Sequence, residues 1–235
     1  MQARFVNIEG DLRGYLALPQ TVPAPAVLVY MEAFGVNAYV ESECRRLAEQ
    51  GYVALAPDFY RGETFAYGDF PAVRAKMQQL SQDALSADRR AAVAYLDGLA
   101  EAKHGAYGVV GFCMGGRLAF LTAAEFGARI AAAVSFYGGG IAPDEPGLAP
   151  SILHRAPDIH APLMLFYGAQ DTHITPSEHA RIAAELSTHK KAYTLSVYPH
   201  AGHGFASSDR DSYNPQAAQD AWAHTLLFFE THLQR

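Results

Sequence analysis

The sequence is short of cysteine, modest in charge and without a long apolar run. Only Cys44 and Cys113 occur among its 235 residues, which excludes a multi-disulfide framework and leaves one bridge at most. Cys44 falls in a helical pattern and Cys113 in a Gly-rich turn, so two free thiols are expected. Charged residues make up 18% and apolar ones half, with ordinary Gly and Pro, which excludes disordered and collagen-like chains. Lys and Arg number 18 against 24 Asp and Glu, for a net charge of −6, and no cationic cluster offers a grip on nucleic acid. No stretch reaches the roughly 20 apolar residues of a membrane span. Met1 to Gly10 alternates polar and apolar residues and lacks a signal peptide's charged start and apolar core, so the cytoplasm is the expected compartment.

What is present is a regular alternation of elements. Arg4 to Ile8 and Tyr15 to Leu18, separated by Glu9-Gly10-Asp11, read as a β-hairpin. Strands are then expected at Ala26 to Tyr30, Tyr52 to Ala56, Tyr107 to Val110, Ile130 to Phe136, Pro162 to Tyr167 and Tyr193 to Tyr198. Helices are expected near Asn37 to Gln50, Pro71 to Leu99 with one break, Gly115 to Phe126, Pro176 to Leu186 and Pro215 to His232. Strands alternating with helices imply an α/β fold, a mostly parallel sheet covered on both faces. No repeat or linker divides the chain, and residues 1–235 read as one domain. Ligands of such sheets bind beyond the carboxyl ends of the strands.

After the strand at Tyr107 comes Gly111-Phe112-Cys113-Met114-Gly115-Gly116, and then a helical pattern. Strand, tight turn and helix form the context of the nucleophile elbow of α/β hydrolases, whose flanking glycines permit a strained turn that lifts the nucleophile. Here cysteine stands where serine is usual. The helix N-terminus favours its thiolate, and the Met114 N–H is placed to donate to an oxyanion. Gly-rich turns and inert buried cysteines are both common, so the remaining residues must decide.

Asp171 stands just beyond the Pro162 to Tyr167 strand, where an Asp serves as readily as a turn residue or helix cap. His203, in His200-Ala201-Gly202-His203-Gly204-Phe205, follows the last strand between two glycines. Nucleophile, acid and base thus occur in the chain order of α/β hydrolases. His200 is the competing histidine and is assigned to structure or the pocket rim. His200 and His203 with His173 or His179 lie in no metal-binding frame, so neither metal nor other cofactor is expected.

Through Glu32-Ala33-Phe34-Gly35-Val36-Asn37, Pro57-Asp58-Phe59-Tyr60, the cysteine turn and Gly202-His203-Gly204-Phe205, the chain resembles the dienelactone hydrolase family over nearly its whole length. The resemblance implies a Cys113, Asp171, His203 triad, no lid domain and Ala33 N–H as second oxyanion donor. It also implies that Glu32 meets the resting thiol; such a carboxylate can accept the S–H bond and later its proton. The alternative is that Glu32 merely bonds the backbone of its own loop, which its place after a core strand makes the lesser reading. Phe34, Tyr137, Phe205 and Arg74 are expected at the substrate; for Tyr137 a buried core role with a satisfied hydroxyl is as well founded.

A thiolate leaves a tetrahedral intermediate more readily than an amine, so a cysteine triad suits lactones, aryl esters and thioesters over amides. The expected partner is a small lactone or ester, acting on a monomer or weak homodimer. A non-catalytic scaffold of the same fold is the rival from another class, and would be expected to lose a triad member. The family grips its substrate carboxylate with arginines, one of them four residues after the catalytic histidine. That position is Ser207 here, and the other aligns with Phe70, close to Arg74 and Lys76. A weakened clamp, and dienelactone as a poor substrate, are therefore expected.

Overall fold

The computed structural model describes residues 1–145 and 150–233. Strands β1 (Gln2–Glu9) and β2 (Leu12–Leu18) form the expected hairpin. Beyond it come β3 (Ala26–Tyr30), α1 (Ala38–Glu49), β4 (Val53–Pro57), α2 (Phe70–Gln79), α3 (Gln82–Gly98), β5 (Tyr107–Phe112), α4 (Met114–Glu125), β6 (Ile130–Phe136), β7 (Leu163–Gly168), α5 (Pro176–Thr188), β8 (Tyr193–Tyr198) and α6 (Pro215–His232). Among the described residues, eight strands join one sheet in the order β1-β2-β4-β3-β5-β6-β7-β8. β2 is antiparallel to both neighbours, and every pairing from β4 to β8 is parallel.

β3, β4, β5 and β7 are buried along their whole length, as central strands covered on two faces must be. β1 and β8, at the edges, are largely polar or half-exposed. Side-chain parity separates the helices. A Cβ on Gly108 would meet Phe229 of α6, and Phe112 packs on Tyr39 of α1 and Trp222 of α6, so α1 and α6 share one face. Tyr30, beside Gly111 in register, points the other way and its hydroxyl meets Thr122 of α4, which Arg89 of α3 also reaches.

The expected break in the long helical stretch falls at Leu80 and Ser81. The Ser81 hydroxyl accepts the Ala84 N–H and starts α3 afresh. Asn37, Asp69, Thr175 and Asn214 cap their helices in the same way, whereas α4 begins at Cys113 with no side-chain cap. Among the described residues no helix is long and apolar enough to cross a membrane.

Candidate active site

The carboxyl ends of the parallel strands supply the site. β3 leads to Glu32, β5 to Cys113, β6 to Tyr137, β7 to Asp171 and β8 to His203. Cys113 sits at φ 54° and ψ −114°, a conformation a non-glycine residue adopts only at a cost of order 1–3 kcal/mol. The turn is so tight that a Cβ on Gly111 would collide with the Gly115 carbonyl, and one on Gly115 with the Tyr30 carbonyl. Glycine is required by close approach at both positions.

The turn aims the thiol at His203, whose Nε2 lies 3.2 Å from Cys113 Sγ. His203 Nδ1 lies 2.8 Å from Asp171 Oδ2, and Asp171 Oδ1 accepts the N–H groups of His173 and Ile174 at 2.7 and 3.2 Å. Burial alone would raise the Asp171 carboxyl, but the His203 bond and these two N–H groups hold it below the usual range. Burial likewise disfavours a charged His203. The neighbouring Cys113 sulfur and Asp171 carboxylate outweigh it and push the imidazole up to about 10, which makes His203 a stronger base toward a proton at its Nε2. Among the described residues the N–H groups of Ala33 and Met114 have no protein acceptor, and that of Met114 is one of the unpaired donors of the first turn of α4.

Glu32 is wholly buried. Tyr67 donates its hydroxyl to Oε2 at 2.9 Å, and Arg210 Nη1 donates to Oε1 at 3.0 Å. The expectation that Glu32 meets the resting thiol is corrected: no hydrogen bond joins it to Cys113, because both oxygens are already engaged and the thiol faces His203. Burial pushes the Glu32 carboxyl up, and Arg210, Tyr67 and His203 only partly offset this.

An arginine that the family position did not suggest approaches the site from further along the chain. Ser207 occupies the family position, wholly buried with its hydroxyl 3.1 Å from that of Tyr67. Successive turns, with Ser207 N–H on Gly204 O and Arg210 N–H on Ser207 O, then carry Arg210 back over Gly204. Gly204, at φ 80°, has no Cβ to obstruct the guanidinium. That guanidinium lies 5.4 Å from the Phe34 ring centre and 5.6 Å from that of Tyr67. Counting positions along the chain missed it, because the return of the loop is a property of its turns.

The other expected residues divide. Phe34 packs against Tyr67, with ring centres 4.6 Å apart, and faces Arg210. Tyr137 stands at 5.3 Å, ring centre to ring centre, from His203 and is wholly buried, with its hydroxyl facing that of Tyr39. Phe205 is placed in the core instead of at the substrate: it is wholly buried on Phe136, Tyr137 and Tyr198. Arg74 is exposed on α2 and is not drawn into the cluster. His179 is stacked on Tyr167, and His200 engages Asn214 through its carbonyl. Cys44 is a buried free thiol, and Cys113 is free as well. Tyr67, reached by no sequence motif, is the second residue that was missed.

A family model described as the dienelactone hydrolase family matches residues 12–233. The chain belongs to this family. A Synechocystis protein named "Putative carboxymethylenebutenolidase" is 35% identical over 231 residues, covering 95% of this chain and 93% of that one. A Bradyrhizobium protein named "Probable 2-oxo-3-(5-oxofuran-2-ylidene)propanoate lactonase" is 32% identical over 97% of this chain and 93% of its own. Among solved structures, a Klebsiella pneumoniae protein titled "Putative Dienelactone Hydrolase" superposes with a TM-score of 0.87 at 28% identity, over 97% of this chain and 98% of that one. As a dienelactone hydrolase family member the chain is a hydrolase with the α/β hydrolase fold.

Proposed function

We propose that this family member, a single domain over residues 1–235, hydrolyses lactones or activated esters through a Cys113 thioester. The observation that carries the reading is the unbroken line from Cys113 Sγ through His203 to Asp171, at 3.2 and 2.8 Å, on a strained strand-to-helix turn. His203 takes the thiol proton as sulfur attacks the carbonyl carbon, and Asp171 orients the imidazole and stabilises its charge. The N–H groups of Ala33 and Met114 receive the oxyanion. Collapse of the intermediate breaks the C–O bond, and the leaving oxygen takes the proton from His203; in a lactone it stays tethered to the acyl chain. Water then attacks the thioester, again giving its proton to His203, and the carboxylic acid departs as the thiol is restored.

Arg210 offers a cation beside the aromatic wall of Phe34 and Tyr67, and a desolvated guanidinium suits a substrate carboxylate. A propanoate-bearing lactone, of the kind in the Bradyrhizobium relative's name, fits that combination. The test is incubation with a lactone and an aryl ester followed by mass spectrometry of the quenched protein. Cys113→Ala is expected to lose at least about 10³-fold in turnover and all acyl adduct; substantial residual turnover, or an adduct elsewhere, would sink the reading.

A further inference from the structure

Tyr60 ends the segment Pro57-Asp58-Phe59-Tyr60, to which the proposed chemistry assigns no task. Its side chain is wholly buried after β4. The hydroxyl donates to the Ala33 carbonyl at 3.1 Å and lies 4.0 Å from Met114 Sδ. One phenol therefore touches both residues whose N–H groups face the proposed oxyanion. The base of this strut is itself anchored. Asp58 Oδ1 accepts the Tyr60 N–H at 3.1 Å, Asp58 Oδ2 is held by Arg13 Nε at 2.9 Å, and Asp58 N–H donates to the Arg13 carbonyl at 2.8 Å. Burial first, and the nearby Cys113 second, keep the phenol far above its ordinary range, so its O–H remains a donor.

We propose that Tyr60 is a positioning residue of the oxyanion hole, pinning the Ala33 carbonyl beside Met114 and thereby aiming the Ala33 N–H. The proposal rests on Cys113 as nucleophile and on these two N–H groups as oxyanion donors. An ordinary core hydrogen bond would affect stability alone. A strut for an oxyanion donor acts where charge develops, in the transition state, and so affects kcat more than KM.

The experiment compares two reactions of the same thiol in Tyr60→Phe. Hydrolysis of p-nitrophenyl acetate passes through an oxyanion, whereas alkylation by iodoacetamide displaces iodide at a saturated carbon and does not. Cys44 is fully buried, so alkylation of the native protein reports Cys113. Hydrolytic kcat is expected to fall about tenfold to a hundredfold, with KM and the alkylation rate within about twofold of the parent. The ratio is read only from a preparation in which one thiol per chain reacts under native conditions, because unfolding would expose Cys44 as a second and abolish hydrolysis without abolishing alkylation. If no folded Tyr60→Phe is obtained, Tyr60→His, too short to reach the Ala33 carbonyl, is expected to show the same split. Equal losses in hydrolysis and alkylation, or no loss in either, overturn the proposal. Failure of the nucleophile reading would show separately, as hydrolysis that survives full alkylation of the parent protein.

Discussion

Replacing Arg210 by glutamine removes the cation from a carboxylate that has no access to water. Glu32 is fully buried, and Arg210 is the largest influence opposing the rise that burial imposes on it. Without Arg210 only the Tyr67 hydroxyl remains among its bonded partners. Glu32 then either stays ionised or takes up a proton. Leaving an ion unpaired costs about 3–5 kcal/mol in a fully buried pair; Arg210 retains 13% exposure, so about 2–3 kcal/mol is expected here. Protonation costs about 1.4 kcal/mol per pH unit above about 4.3, hence about 1 kcal/mol at pH 5 and about 5 kcal/mol at pH 8. The lower of the two sets the loss at each pH. Lost packing over Phe34 and Tyr67 adds about 1 kcal/mol at both. The sign follows from linkage. A carboxyl raised in the folded state gives stability that is lost as pH rises through its folded value. Arg210→Gln raises Glu32 further, so the loss must grow with pH, from about 2 kcal/mol at pH 5 to about 3–4 kcal/mol at pH 8. Urea denaturation of variant and parent at both pH values, at one ionic strength, measures it. Equal losses, or a larger one at pH 5, would refute the reasoning.

The same variant should lower kcat/KM for a carboxylated lactone about tenfold to a hundredfold relative to an uncharged aryl ester, whereas Arg74→Ala, altering an exposed residue of α2, should leave that ratio within about twofold; an unchanged ratio in Arg210→Gln would place the anion elsewhere. His203→Ala and the Cys113→Ala, His203→Ala double variant should show equal residual turnover, because the two groups act as one unit, and a further large loss in the double variant would separate them. Glu32→Gln keeps the shape but removes a negative charge that acts on His203, so the alkaline limb of the iodoacetamide rate profile should move to lower pH and peroxide sensitivity should change. Identical profiles and sensitivity would leave Glu32 a purely structural role.

Local rules made much of this protein legible in its amino-acid order. The continuous apolar segments from Ala26, Tyr107 and Pro162 belong to strands buried on both faces, and their spacing with amphipathic helices implies a parallel sheet. Gly111 and Gly115 mark the turn because their missing side chains are a local steric requirement. Cys113, Asp171 and His203 could be named because each follows its own strand, and a parallel sheet brings those ends to one edge. Chain position could not reveal the surroundings of Glu32. Tyr67 comes from the connection before α2, Arg210 from a coiled loop 178 residues away, and both orientations depend on turns and packing that no short motif encodes. Phe205 beside His203 suggested the substrate side, yet its rotation into the core was decided by Phe136, Tyr137 and Tyr198. The sequence by itself determined the order of the strands' contributions and the tight turn at Cys113, since both follow from local periodicity and sterics. Only the tertiary structure decided which buried charge faces which cation, since that pairing depends on the closure of distant loops and on exclusion of water.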